Sequence, residues 1–371
     1  MTPLTRGRLA LEAFVATLIS HAVVLLALGA SSTVFDRWAR AGRGGISLLV
    51  WDGAFYQDIA ANGYGAVGRA GLRFFPLVAL AARGLAAPFG GGQRATGIAV
   101  VAIAWVSAVL FLYWLGRLVE FETADEILAR RALWLAALFP SAMVLTLGYA
   151  EATFLAFAVG AFAAARRRSW LLAFVLAAGA GATRPLGLLL AVPIAVEAVV
   201  AWRSGAWRAR VESLVAIAGG AAGTAVYLLW SRAAYGDLLL PFRVQSDTTL
   251  RGGFVDPVTR VARGVRDLFT GHLASGSHVL WAFVCLALLV VLWRRLPAAY
   301  GAYATVSLLV LLSGSNLDSF ERYVFSTFPF VIAVVLVIPR RPPAWWWAVL
   351  ATSTVGLFAY SSLAFTGRLA P

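Results

Sequence analysis

Lysine is absent from this chain of 371 residues, and charge of either sign is scarce. The net charge of +14 comes from arginine, and only 13% of the residues are charged, against about 25% in a soluble domain. Hydrophobic residues make up 61% of the chain, and apolar runs of about 20 residues recur along its length. This composition excludes a soluble domain of any size and predicts a polytopic membrane protein.

Cysteine and histidine are almost as rare. The single cysteine, Cys285, lies inside an apolar run, so an intrachain disulfide is excluded. The three histidines, His21, His272 and His278, do not have metal-ligand spacing. The sequence therefore predicts neither a metal site nor a cofactor.

The arginines concentrate in short clusters between the apolar runs, where a membrane protein carries its cytoplasmic anchors. They do not form a basic face interleaved with aromatic residues, so binding to nucleic acid is not expected. The clusters are Arg6 with Arg8, Arg130–Arg131, Arg166–Arg168, Arg203 with Arg208 and Arg210, Arg294–Arg295 and Arg340–Arg341. The bias towards arginine and alanine is typical of a bacterial genome rich in G and C.

The apolar pattern predicts an all-α membrane protein with about eleven transmembrane helices, forming a single domain over 1–371. We read the first run as an uncleaved span and not a signal peptide, because no convincing cleavage site follows it. The predicted spans are 11–31, 96–116, 132–149, 151–166, 169–183, 186–202, 211–234, 278–293, 297–313, 323–339 and 344–364.

With these spans, every arginine cluster falls on the side of the N-terminus, which the positive-inside rule makes cytoplasmic. This holds if 74–90, which carries Arg83 and two prolines, is a partly embedded or interfacial helix. The external side then receives two large loops, 31–95 and 235–277, with two tight tips at 148–151 and 183–185 and a segment at 315–322.

The external pieces carry most of the unusual polar residues. A site formed where they meet would lie at the outer membrane face. Asp52 and Asp58 stand in the stretch WDGAFYQDIAANGY, from Trp51 to Tyr64. The other candidates are Tyr149, Glu151, Arg184, Asp237, Gln245, Arg322 and Tyr323. Gly63 with Tyr64 predicts a turn that ends the segment of Asp52.

Five blocks of the sequence, in order, resemble the GPI mannosyltransferase 2 (PIG-V) family and its bacterial relatives. They cover most of the chain from about 50 to 330. The blocks are WDGAFYQDIAANGY followed by FFPL, FPSAMVLTLGYAEATFLAF, ATRPLGLLLAVPIAVE, YGDLLLPFRVQ and ERYVFSTFP. The chain departs from the pattern at Leu238, where the family has proline after Gly-Asp, and at Ala79, where a second proline is missing.

The resemblance implies a glycosyltransferase of the GT-C type in the bacterial plasma membrane, with its active site external. The donor would be polyprenyl-phosphate mannose, and the acceptor would be a membrane lipid or a glycan. Such a transfer needs a carboxylate as general base and cations at the phosphate, and we assign Asp52 to the first role. The predicted substrate-binding residues are Trp51, Asp58, Tyr64, Phe75, Tyr149, Glu151, Arg184, Asp237, Gln245, Arg322 and Tyr323.

Each assignment has a structural alternative. Asp52 could solvate a loop beside an interfacial Trp51, and Arg184 could bind the carbonyls at a helix C-terminus. Arg322 could pair with Glu321 or extend to the interface. Two other functions also stay open, namely a transporter or flippase of lipid-linked sugars and a non-catalytic partner of another transferase.

Overall fold

The computed structural model describes residues 6–33, 47–202, 206–247, 250, 252–270, 273–340 and 342–368. Predictions for Arg203, Arg341, His272 and the loop residues 34–46, 248–249, 251 and 271–272 fall outside this range. Within it the protein is helical, and extended pairing is limited to one isolated bridge between Phe254 and Gly314.

The first nine helices of the described residues, in chain order, are α1 (Arg6–Thr33), α2 (Asp52–Asn62), α3 (Gly68–Gly71), α4 (Pro76–Ala86), α5 (Gln93–Thr123), α6 (Glu126–Ala137), α7 (Glu151–Arg166), α8 (Trp170–Thr183) and α9 (Ala191–Trp202). The others are α10 (Trp207–Ile217), α11 (Gly219–Tyr235), α12 (Leu240–Gln245), α13 (Pro257–Phe269), α14 (Leu273–Arg295), α15 (Ala298–Leu312), α16 (Phe320–Ser326), α17 (Pro329–Val337) and α18 (Ala344–Phe365).

Among the residues that the structure describes, five helical stretches are long and apolar enough to cross a membrane, so the chain has the character of a membrane-embedded protein. Two bent helix pairs, α10 with α11 and α16 with α17, raise the number to seven if each pair is one span. The five are Arg6–Thr33, Gln93–Thr123, Pro185–Trp202, His278–Arg295 and Ala344–Phe365. The count of eleven spans stays a prediction.

Several predicted spans are not continuous α-helices. Instead of running from 132 to 149, α6 ends at Ala137, and only a short 3₁₀ turn interrupts the irregular chain before α7. Pro140 explains this end, because the residue before a proline is disfavoured in helical geometry. The span predicted at 323–339 is broken before Pro329, where α16 and α17 meet at 86°.

The chain divides into two compact units. Unit 1 comprises Met1–Val67, Pro76–Gly160 and Val334–Pro371, and unit 2 comprises Gly68–Phe75 and Ala161–Ala333. The single domain predicted over 1–371 stays a prediction.

In unit 1, α1 packs against α5, α6 and α18, and ion pairs collect at one end of these helices. Arg130 binds Glu12 in α1 at 2.9 Å, and Arg340 pairs with Asp125, the residue that caps α6. Arg131 donates to the carbonyl of Pro339 at 3.3 Å. Two of the predicted cytoplasmic clusters therefore lie with the N-terminal part of α1 at the same end of unit 1.

In unit 2, α8 packs closely against α11 through glycines. A Cβ atom at Gly181 would collide with the carbonyl of Gly220, and one at Gly223 would collide with that of Ala178. Such close backbone approach is how helices associate in lipid, where burial of apolar side chains gives no driving force. It fixes the C-terminal end of α8, which is followed directly by Arg184.

Candidate active site

Asp52 is the first residue of α2, at the end of unit 1 opposite Arg130, Arg131 and Arg340. The Trp51 indole Nε1 donates a hydrogen bond of 3.1 Å to the carbonyl of Ala364, near the end of α18. Helix α18 starts shortly after Arg340 and its 22 residues extend about 33 Å. Asp52 and Arg340 thus lie near opposite ends of α18, which is long enough to span a membrane.

The backbone before Asp52 packs against the segment before Glu151, also within unit 1. The amide of Gly148 donates to the carbonyl of Leu48 at 2.8 Å. A Cβ atom on Gly53 would lie 3.3 Å from the carbonyl oxygen of Gly148, and one on Gly148 would lie 2.8 Å from Leu49 Cδ2, so the two segments pack closely. The structure therefore brings two of the five motif blocks together. Tyr149 and Glu151 are fully buried beside this contact, while Asp52 is half-buried.

Two side chains hold the irregular segment that leads to Glu151. His21 in α1 makes a 2.7 Å hydrogen bond through Nδ1 to the hydroxyl of Thr146. Trp105 in α5 donates from Nε1 to the Thr146 carbonyl at 2.9 Å. These bonds satisfy polar groups that a broken helix leaves behind, since buried backbone groups need partners.

Asp58 lies on another side of α2. It is six residues after Asp52, which rotates it by about 120° around a helix. Its Oδ1 accepts a 2.9 Å hydrogen bond from Gln93, the first residue of α5. Gln57 donates to the Gln93 carbonyl at 2.8 Å. The two acids of this stretch therefore have separate surroundings, and Asp58 joins α2 to α5.

The turn predicted at Gly63 is confirmed. Gly63 has φ +81°, a conformation that favours glycine, and its amide bonds to Ile59 at 2.9 Å. Arg83 in α4 donates to the carbonyls of Ala60 at 2.8 Å and Ile59 at 3.2 Å. A cation at the last carbonyls of a helix is favourable, so Arg83 anchors the end of α2. Tyr64 follows, half-buried, in a 3₁₀ turn.

In unit 2, Arg184 and Arg322 both lie against the ring of Tyr323. The guanidinium carbon of Arg184 is 5.2 Å from the ring centroid and that of Arg322 is 5.8 Å. The two arginines are only 9% and 6% exposed. We call these three residues the arginine cluster. It lies at the end of α8 opposite to the basic residues Arg166–Arg168 that precede this helix.

A buried pair of one histidine and one glutamate borders the arginine cluster, and sequence reasoning missed it. His278 Nδ1 lies 2.7 Å from Glu321 Oε1, next to Arg322 in the chain. Glu321, which the sequence offered as a partner of Arg322, is thus hydrogen-bonded to His278. The sequence signal was weak, because 43 residues separate the two partners.

The remaining candidates in unit 2 have structural contacts. The Phe75 ring is buried against Tyr227 at 4.9 Å and Phe242 at 6.5 Å between centroids. Asp237 pairs with Arg243 at 3.0 Å and accepts from the amide of Leu239, which shapes the turn after α11. Gln245 is the last residue of α12 and is half-buried. These contacts favour packing and turn formation at Phe75 and Asp237.

Chemically, the candidate residues offer a carboxylate at the start of a helix in unit 1 and the two buried cations of the arginine cluster in unit 2. The described residues contain no group of three or more His, Cys, Asp or Glu side chains able to hold a metal ion. No model of a known protein family matches the sequence, and no curated protein matches it either.

Proposed function

We propose that this protein is a membrane glycosyltransferase of the GT-C type, related to the GPI mannosyltransferase 2 family. In this proposal it moves mannose from polyprenyl-phosphate mannose to a lipid or glycan acceptor at the external face of a bacterial plasma membrane. The proposed class of enzyme is supported by the five motif blocks. The proposed residue roles are supported by the contacts of the candidate side chains.

The observation that carries the proposal is the arginine cluster. A charged side chain within a membrane protein is costly to bury, and such residues usually mark a functional path or site. Two guanidinium groups lie around one ring and together offer the positive charge and the hydrogen-bond donors that an anion binds. Guanidinium binds phosphate through two parallel hydrogen bonds. We assign Arg184 and Arg322 to the donor phosphate, where they stabilise the charge that develops as it leaves.

Asp52 is assigned as the general base. Its position at the end of unit 1 remote from Arg130 and Arg340 agrees with an external location if those arginines are cytoplasmic. The acceptor oxygen attacks the anomeric carbon while its proton passes to the Asp52 carboxylate. The bond from this carbon to the phosphate oxygen breaks, and polyprenyl phosphate leaves with the electron pair. A single displacement inverts the configuration and gives an α-linked mannoside.

The fixed contact between Gly53 and Gly148 supports a role for the second motif block. It keeps Tyr149 and Glu151 next to the segment of Asp52, where buried polar side chains suit binding of sugar or acceptor hydroxyl groups. Asp58 and Tyr64 support the same helix in this proposal.

The test is transfer of radiolabelled sugar. The purified full-length protein, reconstituted into vesicles, is incubated with labelled polyprenyl-phosphate mannose and with extracted bacterial lipids or glycans. We expect label to move into a new glycolipid or glycan, and a polyprenyl-phosphate glucose control to transfer less. Movement of intact labelled donor across the bilayer without a new glycosidic bond would contradict the proposal and indicate a flippase. Absence of transfer with every acceptor fraction would also contradict it.

A further inference from the structure

Helix α13 exposes an apolar stripe beside a basic one. Val258 and Phe269 are 79% and 84% exposed, and Ala262 and Val265 lie between them on the same face at helical spacing. Arg263 and Arg266 are exposed on the adjacent face. A stripe of this kind on a rigid helix needs a partner that is apolar at its centre and anionic at its edge.

The opposite face of α13 is firmly attached to unit 2. Arg260 is buried and donates to the carbonyl of Ser315 at 2.6 Å, and burial lowers the pKa of its guanidinium group. At the start of the helix, Asp256 accepts a 2.8 Å hydrogen bond from the amide of Thr259, which caps the first turn. The orientation of the apolar stripe is therefore set by the fold.

The position of α13 relative to the membrane follows from its contact with α14. A Cβ atom on Gly264 would lie 3.0 Å from Cβ of Val279, and one on Gly276 would lie 2.6 Å from Cα of Leu268. The part of α14 able to cross a membrane begins at His278. Helix α13 is thus packed at the end of a spanning segment, which is where the hydrocarbon region meets the headgroups.

We infer that α13 is an interfacial membrane helix whose partner is a bilayer surface with anionic headgroups. Val258, Val265 and Phe269 enter the acyl boundary, and Arg263 and Arg266 contact the lipid phosphates. Amphipathic helices with arginine beside the apolar face bind in this way. The inference does not depend on the proposed transferase activity.

Spin labels test the orientation. The buried Cys285 is replaced by alanine, which leaves a background without cysteine. Labels are then placed by Val258→Cys and Phe269→Cys on the apolar stripe, and by Arg263→Cys as the matched control on the polar face. In nanodiscs of the full-length protein, we expect the stripe labels to be more accessible to oxygen than to a water-soluble nickel chelate, and the control label to show the reverse.

Lipid quenching tests the charge. A fluorophore at Phe269→Cys is quenched by brominated phosphatidylglycerol or by brominated phosphatidylcholine at equal mole fraction. We expect stronger quenching by the anionic lipid, with a preference of about fivefold for each arginine that reaches the headgroups. Arg263→Gln with Arg266→Gln should remove this preference, whereas Arg208→Gln, on an exposed side chain of α10, should leave it unchanged.

Any of three results would overturn the inference. Stripe labels that are as accessible to nickel as the control would place α13 in water. Stripe labels that are protected from both reagents would show that a protein, such as a second copy of this chain, covers the face. Equal quenching by both lipids would remove the anionic partner.

Discussion

At the scale of single residues, the most informative feature is the shared use of the Tyr323 ring by Arg184 and Arg322. A desolvated cation–π contact contributes about 2 kcal/mol, which is less than the several kcal/mol that burying an ion costs. Binding of a phosphate would add to the contacts with the ring, because an ionised oxygen forms stronger hydrogen bonds than a neutral one.

This predicts different effects of Arg322→Lys and Arg322→Gln. Lysine keeps the charge but cannot present two parallel donors, so we expect an intermediate loss of kcat/KM for the donor. Glutamine removes the charge, and we expect a loss of about 10²–10³. Steady-state transfer kinetics with labelled donor measure both.

The matched control for these variants is Arg208→Gln, whose side chain is 90% exposed on α10. It should change kcat/KM by less than about twofold, as surface substitutions usually do little. If Arg322→Gln transfers label as fast as this control, the arginine cluster is not the phosphate site.

Sequence reasoning identified Arg184 because an arginine on the external side opposes the orientation bias, and Arg322 because it begins a predicted span at the outer face. It could not predict that they share one ring, since residues far apart in sequence meet only through tertiary packing. His278 and Glu321 were missed for the same reason. Gly63 was predictable because its requirement is local, a positive φ that few other residues tolerate.

At the scale of elements, Gly148 packs against the segment that leads into α2. A Cβ atom on Gly148 would lie 2.8 Å from Leu49 Cδ2 and 2.9 Å from Val100 Cγ1. Gly148→Ala should therefore move the segment that carries Trp51 and Asp52. We expect a loss of about 1–3 kcal/mol in stability from overpacking, together with reduced transfer, measured by thermal unfolding and by the labelled-donor assay.

Gly84→Ala is the matched control for Gly148→Ala. Gly84 lies inside α4, and a Cβ atom there would meet nothing within 4 Å. Alanine is the better helix former by about 1 kcal/mol, so this variant should be as stable as the wild type or more so. Equal stability and activity in the two variants would show that the Gly148 contact does not position α2.

The cap of α13 predicts a pH dependence. The hydrogen bond from Thr259 lowers the pKa of Asp256 below its ordinary value of 3.8. The ionised form is thus favoured in the folded helix, so the cap stabilises α13 above this value and is lost as the pH falls through the lowered pKa. Amide hydrogen exchange in the first turn of α13, corrected for its intrinsic pH dependence, should become less protected in acid.

Asp256→Asn isolates the charge, because asparagine still caps a helix but does not titrate. Exchange in this variant, corrected for the intrinsic pH dependence, should stay constant over the same acidic range. Unchanged acid sensitivity in Asp256→Asn would assign the effect to another group.

Helix type and the membrane class were predictable from the apolar runs, but helix continuity was only partly so. Pro140 and Pro329 were visible signals for the breaks in the spans predicted at 132–149 and 323–339. The length of the apolar run outweighed them in the sequence interpretation. Irregular backbone is tolerated at membrane depth where it is buried in protein. Thr146 is buried, and His21 and Trp105 form hydrogen bonds to it.

At the scale of the whole molecule, the orientation of the chain in the membrane is a direct prediction of the charge pattern. With Cys285→Ala as background, Asn62→Cys marks the exposed end of α2, and Ala124→Cys marks the exposed turn between α5 and α6. A membrane-impermeant maleimide applied to intact cells should label Asn62→Cys only. Ala124→Cys should react after permeabilisation.

Labelling of both positions from outside would contradict the separation of the two ends of unit 1. Labelling of Ala124→Cys alone would invert the orientation and place Asp52 in the cytoplasm. The positive-inside rule gives a direction only for the chain as a whole, so this result bears on every external assignment at once.

The most direct measurement of the central claim is single-turnover transfer of labelled mannose by Asp52→Asn and Asp58→Asn, each beside the wild type. Asp52→Asn should reduce the rate by about 10²–10⁴, the contribution of a general base, while binding of the donor is retained. Asp58→Asn should lose much less, because Asp58 bonds to Gln93 on another side of α2. Transfer by Asp52→Asn at the wild-type rate would contradict the account.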